Sequence, residues 1–514
     1  MPSFQLNYGL PSQIVLGVCL LLSLWGCAQK PLPPQTAALP LSPIEIKGTA
    51  AEWRAINRLT YGPSPALLAD LRSNGQPKNW ALSQLDAARK ASLEAPKLPP
   101  DLASISDPLP TIFDGARKER EARAAVPAGT RINEFVVNEK RFHFQEEPEP
   151  LFYNRTQVNK AIAWRLASCS NDDVEQPLLA RMTEFWFNHF NIYQQKGSVR
   201  PFAGHYAIHV ARAHALGKFE DLVLASAKHP AMLYYLDQWL SVSPQSARAG
   251  QSGRGLNENY ARELMELHTL GVQGGYTQED VRELARIFTG WTVSPRSDSG
   301  FQFVMRLHES GNKTLMGQSI PSSAELIGMR EGEQAIRFLA NHPSTAQRVS
   351  RRLAEYFVAD SPPQDLIDLM AKTFLASGGD IYQVMKVMLN HQAFWSPENK
   401  LYRTPYDFAC ASLRVLNVSQ DRVKWLQAFG YAAVAGHAIQ NWQTPDGYAF
   451  NANTWLTPEA LTRRIDFALN ISRNAPERSD LYPYLSDNTK KAVMNQAPQQ
   501  RMGFVLGSSE LVFK

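Results

Sequence analysis

Cysteine is scarce. Four residues in 514, with no Cys-x-x-Cys pair among them, exclude a disulfide scaffold and a zinc ribbon. Net charge is nearly absent too. Against 53 Lys plus Arg stand 48 Asp plus Glu, a formal +5, which argues against nucleic acid as a partner. No charged side chain occurs in residues 1–26, and no apolar run outside that segment approaches transmembrane length. The chain has no Gly-x-Ser-x-Gly elbow, no carboxylate pair distinctive of glycosidases and no His-Glu-x-x-His motif, so no established hydrolase signature is available. Apolar residues, in contrast, are plentiful at 44%, with 24 Phe, 17 Tyr and 11 Trp. Such a chain can bury a large core, which excludes wholesale disorder.

The uncharged N-terminus predicts an address. Ile14 to Trp25 is an apolar run of signal-peptide length, and it ends in Leu24-Trp25-Gly26-Cys27, similar to a bacterial lipobox. The spacing predicts a signal peptide over 1–26, lipidation of Cys27 and a membrane association through the lipid anchor. Ala28 rather than Asp follows Cys27, so the expected place in a Gram-negative host is the outer membrane or its periplasmic face. Pro31, Pro33, Pro34, Pro40 and Pro43 make residues 27–49 an extended tether. Cys169 and Cys410 then remain. They form one disulfide in an oxidising compartment or stay two buried thiols, and their apolar, helical context favours the thiols.

From Ala50 onward the dominant period is 3.6, so the fold expected is mainly α, one large multi-helix domain over 50–475 with a polar tail over 476–514. Trp53, Ile56 and Leu59, then Leu67, Leu68 and Leu71, mark two short helices split by Tyr61-Gly62-Pro63. Arg117 to Arg123 reads as an exposed helix face. Leu178, Met182, Phe185, Trp186, His189 and Phe190 fall on one stripe of a core-facing helix. Asn257 caps a helix that Gly271 stops, and Thr277 with Asp280 opens the next. The period then drops to two. Phe301, Phe303, Met305 and Leu307 alternate with other residues, and a turn at His308–Asn312 leads to Lys313–Gly317, which predicts one inserted β-hairpin.

Several of these segments occur together in a known family. Asn57-Arg58-Leu59-Thr60-Tyr61-Gly62-Pro63-Ser64, Phe185-Trp186-Phe187-Asn188-His189-Phe190, the run from Asn257 to Val272, Gly275-Tyr276-Thr277-Gln278 through Gly290-Trp291-Thr292, the hairpin with His308 and Lys313, and Trp455-Leu456 with Arg463 follow one another in order. Over roughly residues 50–470 the chain resembles the bacterial family called domain of unknown function 1800. Leu256 stands where that pattern has Pro, and Glu309 where it has Asp. The resemblance implies an exported helical protein accompanied by a second secreted protein, and it implies no reaction.

Chemistry must therefore come from residues. Glu258, Arg262, Glu263, Glu266 and His268 crowd one helix, with Glu258–Arg262 and Arg262–Glu266 spaced i,i+4. A dense apolar stripe opposite predicts that both faces meet protein, making a buried clamp the favoured reading over catalytic carboxylates. His308 beside Glu309, with Lys313 close by, suits a general base or a metal ligand as well as a capped turn. His189 on an apolar stripe is by default a hydrogen-bonded core residue. His205 and His209 at i,i+4 leave a divalent metal open, though without a third ligand. No cofactor is otherwise expected. Nucleotide is excluded because Gly311-Asn312-Lys313-Thr314 lacks phosphate-loop spacing. Short connections predict that His308 or Glu309 reaches the Glu258–Arg262–Glu263 cluster. Convergence of His189, Glu258, Glu263, His268 and His308 in one cleft would mark a functional centre. Two classes stay open: an envelope accessory or binding protein acting with a secreted partner, and a hydrolase of an envelope or extracellular polymer.

Overall fold

Helix after helix in this chain begins at a proline. Pro65, Pro77, Pro177, Pro230, Pro343, Pro405, Pro458 and Pro498 each occupy a first turn, where a missing N–H costs nothing and the fixed φ favours the helix. In the computed structural model of the chain, residues 48–126, 150–321, 328–418 and 421–514 are described. The signal segment, Cys27 and nearly all of the tether lie outside them. The architecture is mainly α, as the 3.6 period predicts. No helix among the described residues is long and apolar enough to cross a membrane.

The centre is built from helices buried on every face. All 13 residues of Pro177–His189 are buried, not one stripe alone. Its polar residues are accommodated by partners: Arg181 pairs with Asp407 at 3.3 Å, Glu184 with Arg165, and Thr183 donates to the Leu179 carbonyl. The helix Tyr153–Ser170, buried from Gln157 onward except at Asn159, packs against Pro405–Val415. That packing brings the Cα atoms of Cys169 and Cys410 to 5.6 Å, and the two are joined in a disulfide. The expectation of two thiols is thereby corrected. Apolar context describes a cysteine's own surroundings and carries nothing about a partner 241 positions away.

The single hairpin is also corrected, to two. Trp291–Val293 (β1) pairs antiparallel with Phe301–Phe303 (β2), and Lys313–Leu315 (β3) with Gln318–Ile320 (β4). The strand expected to run through Leu307 stops at Phe303, and Met305–Leu307 is a short 3-10 turn. Its alternation was real but its partner lies upstream. The turn between β3 and β4 is Met316-Gly317, both at positive φ (49° and 78°), the geometry that matches strand twist in a two-residue loop.

Residues 476–514, expected as a tail, belong to the folded body. Asp487–Met494, Pro498–Leu506 and Ser509–Val512 are helical, and Leu481, Val493, Val505, Leu506 and Leu511 are buried. They receive the opening helix, Gly48–Leu59. Trp53 Nε1 donates to the Glu510 carbonyl at 3.2 Å, and buried Arg58 donates to the carbonyls of Phe357 at 2.8 Å and Lys514 at 3.3 Å. The two ends of the folded body are thus clasped together.

Candidate functional site

Four segments meet where the Pro177–His189 helix ends. The second is Glu258–Glu263 with its continuation Leu264–His268, a π-helical turn that widens the helix by one residue, a distortion frequent at functional sites. The third is Pro343–Phe357, the fourth the loop over 442–450. Asn188 fastens that loop: its Nδ2 donates to the Tyr448 carbonyl at 3.0 Å, and the Tyr448 N–H donates to its Oδ1 at 2.8 Å. A Cβ on residue 447 would lie 2.3 Å from the Asn188 carbonyl oxygen, so only glycine fits there, and its φ is +70°. Asn191 holds the same loop through the carbonyls of Trp442 and Thr444.

His189 and His268 form the floor. His189 Nε2 lies 3.0 Å from the His268 carbonyl, and a carbonyl only accepts, so Nε2 carries the proton and Nδ1 keeps a lone pair. Nδ1 has no protein partner among the described residues, nor has Nε2 of His268. The rings stand 6.4 Å apart. Burial, with Arg352 and Arg348 adding to it, holds His189 well below the ordinary imidazole range. Burial, then Arg348, pushes His268 down to about 3. Both imidazoles are neutral.

Two arginines form one wall. Arg348 donates through Nε and an Nη to the Leu267 carbonyl at 3.1 and 2.9 Å, which ties it to the π turn. The Arg352 guanidinium lies 4.7 Å from the centre of the Phe450 ring. Neither arginine forms an ion pair among the described residues. Carboxylates form the other wall. Glu266 accepts from the Tyr276 hydroxyl at 3.2 Å, and burial followed by the neighbouring Glu266 raises the Glu263 carboxyl. Asp446 is exposed beside them, its Oδ1 accepting from Thr444.

Of the residues singled out from sequence, His189 and His268 therefore come together, Glu263 lies one turn earlier on the His268 helix beside Glu266, and Glu258 and His308 do not join them. His308 is built into a buried knot. Its Nδ1 donates to the Thr289 carbonyl at 2.9 Å and its Nε2 accepts from Lys313 at 3.1 Å, while Lys313 also pairs with Glu331 at 2.7 Å. Glu309 pairs with Arg286 at 2.7 Å. The predicted contact with Glu258, Arg262 and Glu263 is thus replaced by contacts to Thr289, Lys313, Glu331 and Arg286. The reason is that the helix Gln278–Ile287 stands between them and meets Glu258 near its start and Glu309 near its end.

The buried clamp is corrected as well. Gln278 intervenes, donating to Glu258 at 2.8 Å and accepting from Arg262 at 2.7 Å, on a half-exposed surface. His205 and His209 stack at 4.0 Å, and His205 Nδ1 lies 3.0 Å from His229 Nε2. His229 Nδ1 accepts from the Ala231 N–H, so its Nε2 carries the proton and donates to His205. That lone pair of His205 is spent inside the protein. Among the described residues no group of three His, Cys, Asp or Glu side chains is placed to hold a metal.

Sequence reasoning passed over Arg348, Arg352 and Tyr448. One signal was present. Arg348 and Arg352 sit i,i+4 on a single helix, a like-charge spacing that weakens a helix and needs a reason elsewhere. A separate cavity of about 700 Å³ is lined by Arg123, Phe152, Arg155, Arg200, Phe429 and Ile439 among others.

Residues 54–510, which include every wall of this cleft, match the model of the family described as protein of unknown function, DUF1800. The chain belongs to that family. Among curated proteins and among solved structures, none matches it. The family resemblance expected from six ordered motifs is thus shown, and the DUF1800 match extends past residue 475 into the segment first read as a tail.

Proposed function

We propose that this is an exported, lipid-anchored envelope protein, a binding component that works beside a secreted partner and holds its ligand in the His189–Arg352 cleft. One observation carries the binding reading. Arg348 and Arg352 are half-buried cations that make no direct ion pair among the described residues, with Glu355, Glu266 and Asp446 as the carboxylates near them, beside buried imidazole nitrogens that no protein group satisfies. Unpaired charge in a partly desolvated site is costly unless a ligand completes it. Export is supported by the Cys169–Cys410 disulfide, a bond that persists in oxidising compartments. Cys27→Ser should move the full-length chain from the detergent phase to the aqueous phase. Arg352→Gln should abolish capture of envelope material by the purified chain while its circular dichroism stays unchanged. Capture that survives Arg352→Gln would refute the cleft as the binding site.

A hydrolytic reading has its own observation, the lone pair on buried His189 Nδ1 that no described residue satisfies. It no longer rests on His308, whose two nitrogens are engaged, or on Glu309, which is paired with Arg286. Release of products from an envelope polymer by the wild-type chain, lost in His189→Ala while binding persists, would establish it.

A further inference from the structure

The cleft is two-faced, and that restricts what fits it. Arg348 spends its Nε and one Nη on the Leu267 carbonyl, which leaves the outer N–H groups of its guanidinium. With the Nη groups of Arg352 these are donors of the kind that grip a carboxylate or sulfate oxygen pair. Near them half-exposed Glu263 and Glu266 and exposed Asp446 offer acceptors only. A polyanion such as a nucleotide phosphate chain would meet repulsion on the acidic wall. A ligand with one anionic group and several hydroxyls satisfies both walls, its hydroxyls donating to the carboxylates. Half-exposed Trp442, on the same loop as Asp446, adds an apolar ring face 6.4 Å from Tyr448, and half-exposed Tyr276 stands beside Glu266. Sugar rings present matching C–H faces between their hydroxyls.

The geometry points to an acidic saccharide as the ligand of this cleft, its carboxylate or sulfate held by Arg348 and Arg352, its hydroxyls by Glu263 and Glu266, and a ring face resting on Trp442. This rests on the cleft being the binding site proposed above. It names a substrate class that neither the family nor any sequence motif supplies.

Calorimetric titration of the full-length chain in detergent micelles at ~0.15 M salt, where loose surface attraction is screened, tests it with four probes. These are an oligogalacturonate, a sulfated dextran oligomer, the unmodified dextran oligomer of equal length, and inorganic sulfate. The charged oligomers should bind at least tenfold tighter than dextran and tenfold tighter than sulfate. Whichever of the two is tighter identifies carboxylate or sulfate as the group recognised. Arg352→Lys, which keeps the charge but loses the planar fork, should weaken the charged oligomers tenfold or more, and so should Trp442→Ala. Equal binding of dextran, equal binding of bare sulfate, or charged-oligomer binding unaltered in both variants would each overturn the inference. Failure of every saccharide, with capture of envelope material still dependent on Arg352, would overturn the ligand class and leave the cleft. Loss of that dependence as well would remove both.

Discussion

At the scale of single residues, what decides the role of a charged or titratable group is whether its lone pairs and protons are already used. His308 and His189 look alike on paper, a histidine near other polar residues. In the folded chain both nitrogens of His308 are engaged, by Thr289 and Lys313, whereas Nδ1 of His189 is not. Sequence shows which groups exist and cannot show which are satisfied. The same distinction separates two cations. Lys313 is fully buried and pairs with buried Glu331, so Lys313→Met should destabilise the protein by about 3–5 kcal/mol by leaving that carboxylate with only the His308 ring beside it. Arg262, half-exposed and bonded to Gln278, should cost within ~0.5 kcal/mol when changed to Ala. Urea denaturation of both variants checks the pair. Equal losses would contradict the assignment of the two environments.

At the scale of elements, boundaries were legible and neighbours were not. Asn257 caps its helix through bonds from Asn259 and Tyr260, and Thr277 with Asp280 forms the reciprocal capping box read from the sequence. Those signals are local, so a linear reading finds them. Thr277→Ala should therefore cost about 1 kcal/mol, measurable as a lowered melting temperature. Strand pairing is not local. The alternation at Phe301–Phe303 marks a strand, and only the folded chain shows that Trp291–Val293 and not Lys313–Leu315 lies beside it. The loop over the cleft gives a second expectation. Gly447→Ala forces a Cβ against the Asn188 carbonyl and strains a positive φ, so it should displace the 442–450 loop and lower ligand capture at least as much as stability. A variant that melts lower but captures normally would show the loop to be structural only.

At the scale of the whole molecule, the fold class was readable from the helical period and the amount of apolar residue, while the cleft was not, because its walls come from segments up to 260 positions apart, as Asn188 and Tyr448 are. Acid stability follows from the same packing. Burial holds His189 and His229 well below the ordinary value, and His205, His268 and His437 down at about 3. Below about pH 6.5 the unfolded chain takes up these protons and the folded chain does not, so stability present above that pH is lost as the pH falls toward 3. Each group contributes a slope of about 1.4 kcal/mol per pH unit within that window. The raised carboxyls of Glu263 and Glu355 oppose it in part. The melting temperature should drop sharply between pH 6.5 and 4.5, and a flat profile would contradict the neutral, buried state of these rings. Reduction of Cys169–Cys410, which closes a loop of 241 residues, should cost roughly 3–5 kcal/mol, read as a shift in the urea midpoint with and without reductant.

The clasp between the two ends of the folded body also sets a timetable. Arg58 leaves the ribosome among the first residues of the domain, yet the carbonyls that receive its guanidinium belong to Phe357 and Lys514. Until those arrive, the opening helix carries a cation and an apolar face with nowhere to put either. Contacts of such sequence separation form slowly, because the long loop must close before anything rewards it. The nascent polypeptide is thus kept from locking early. That delay is written into the order in which the partners emerge.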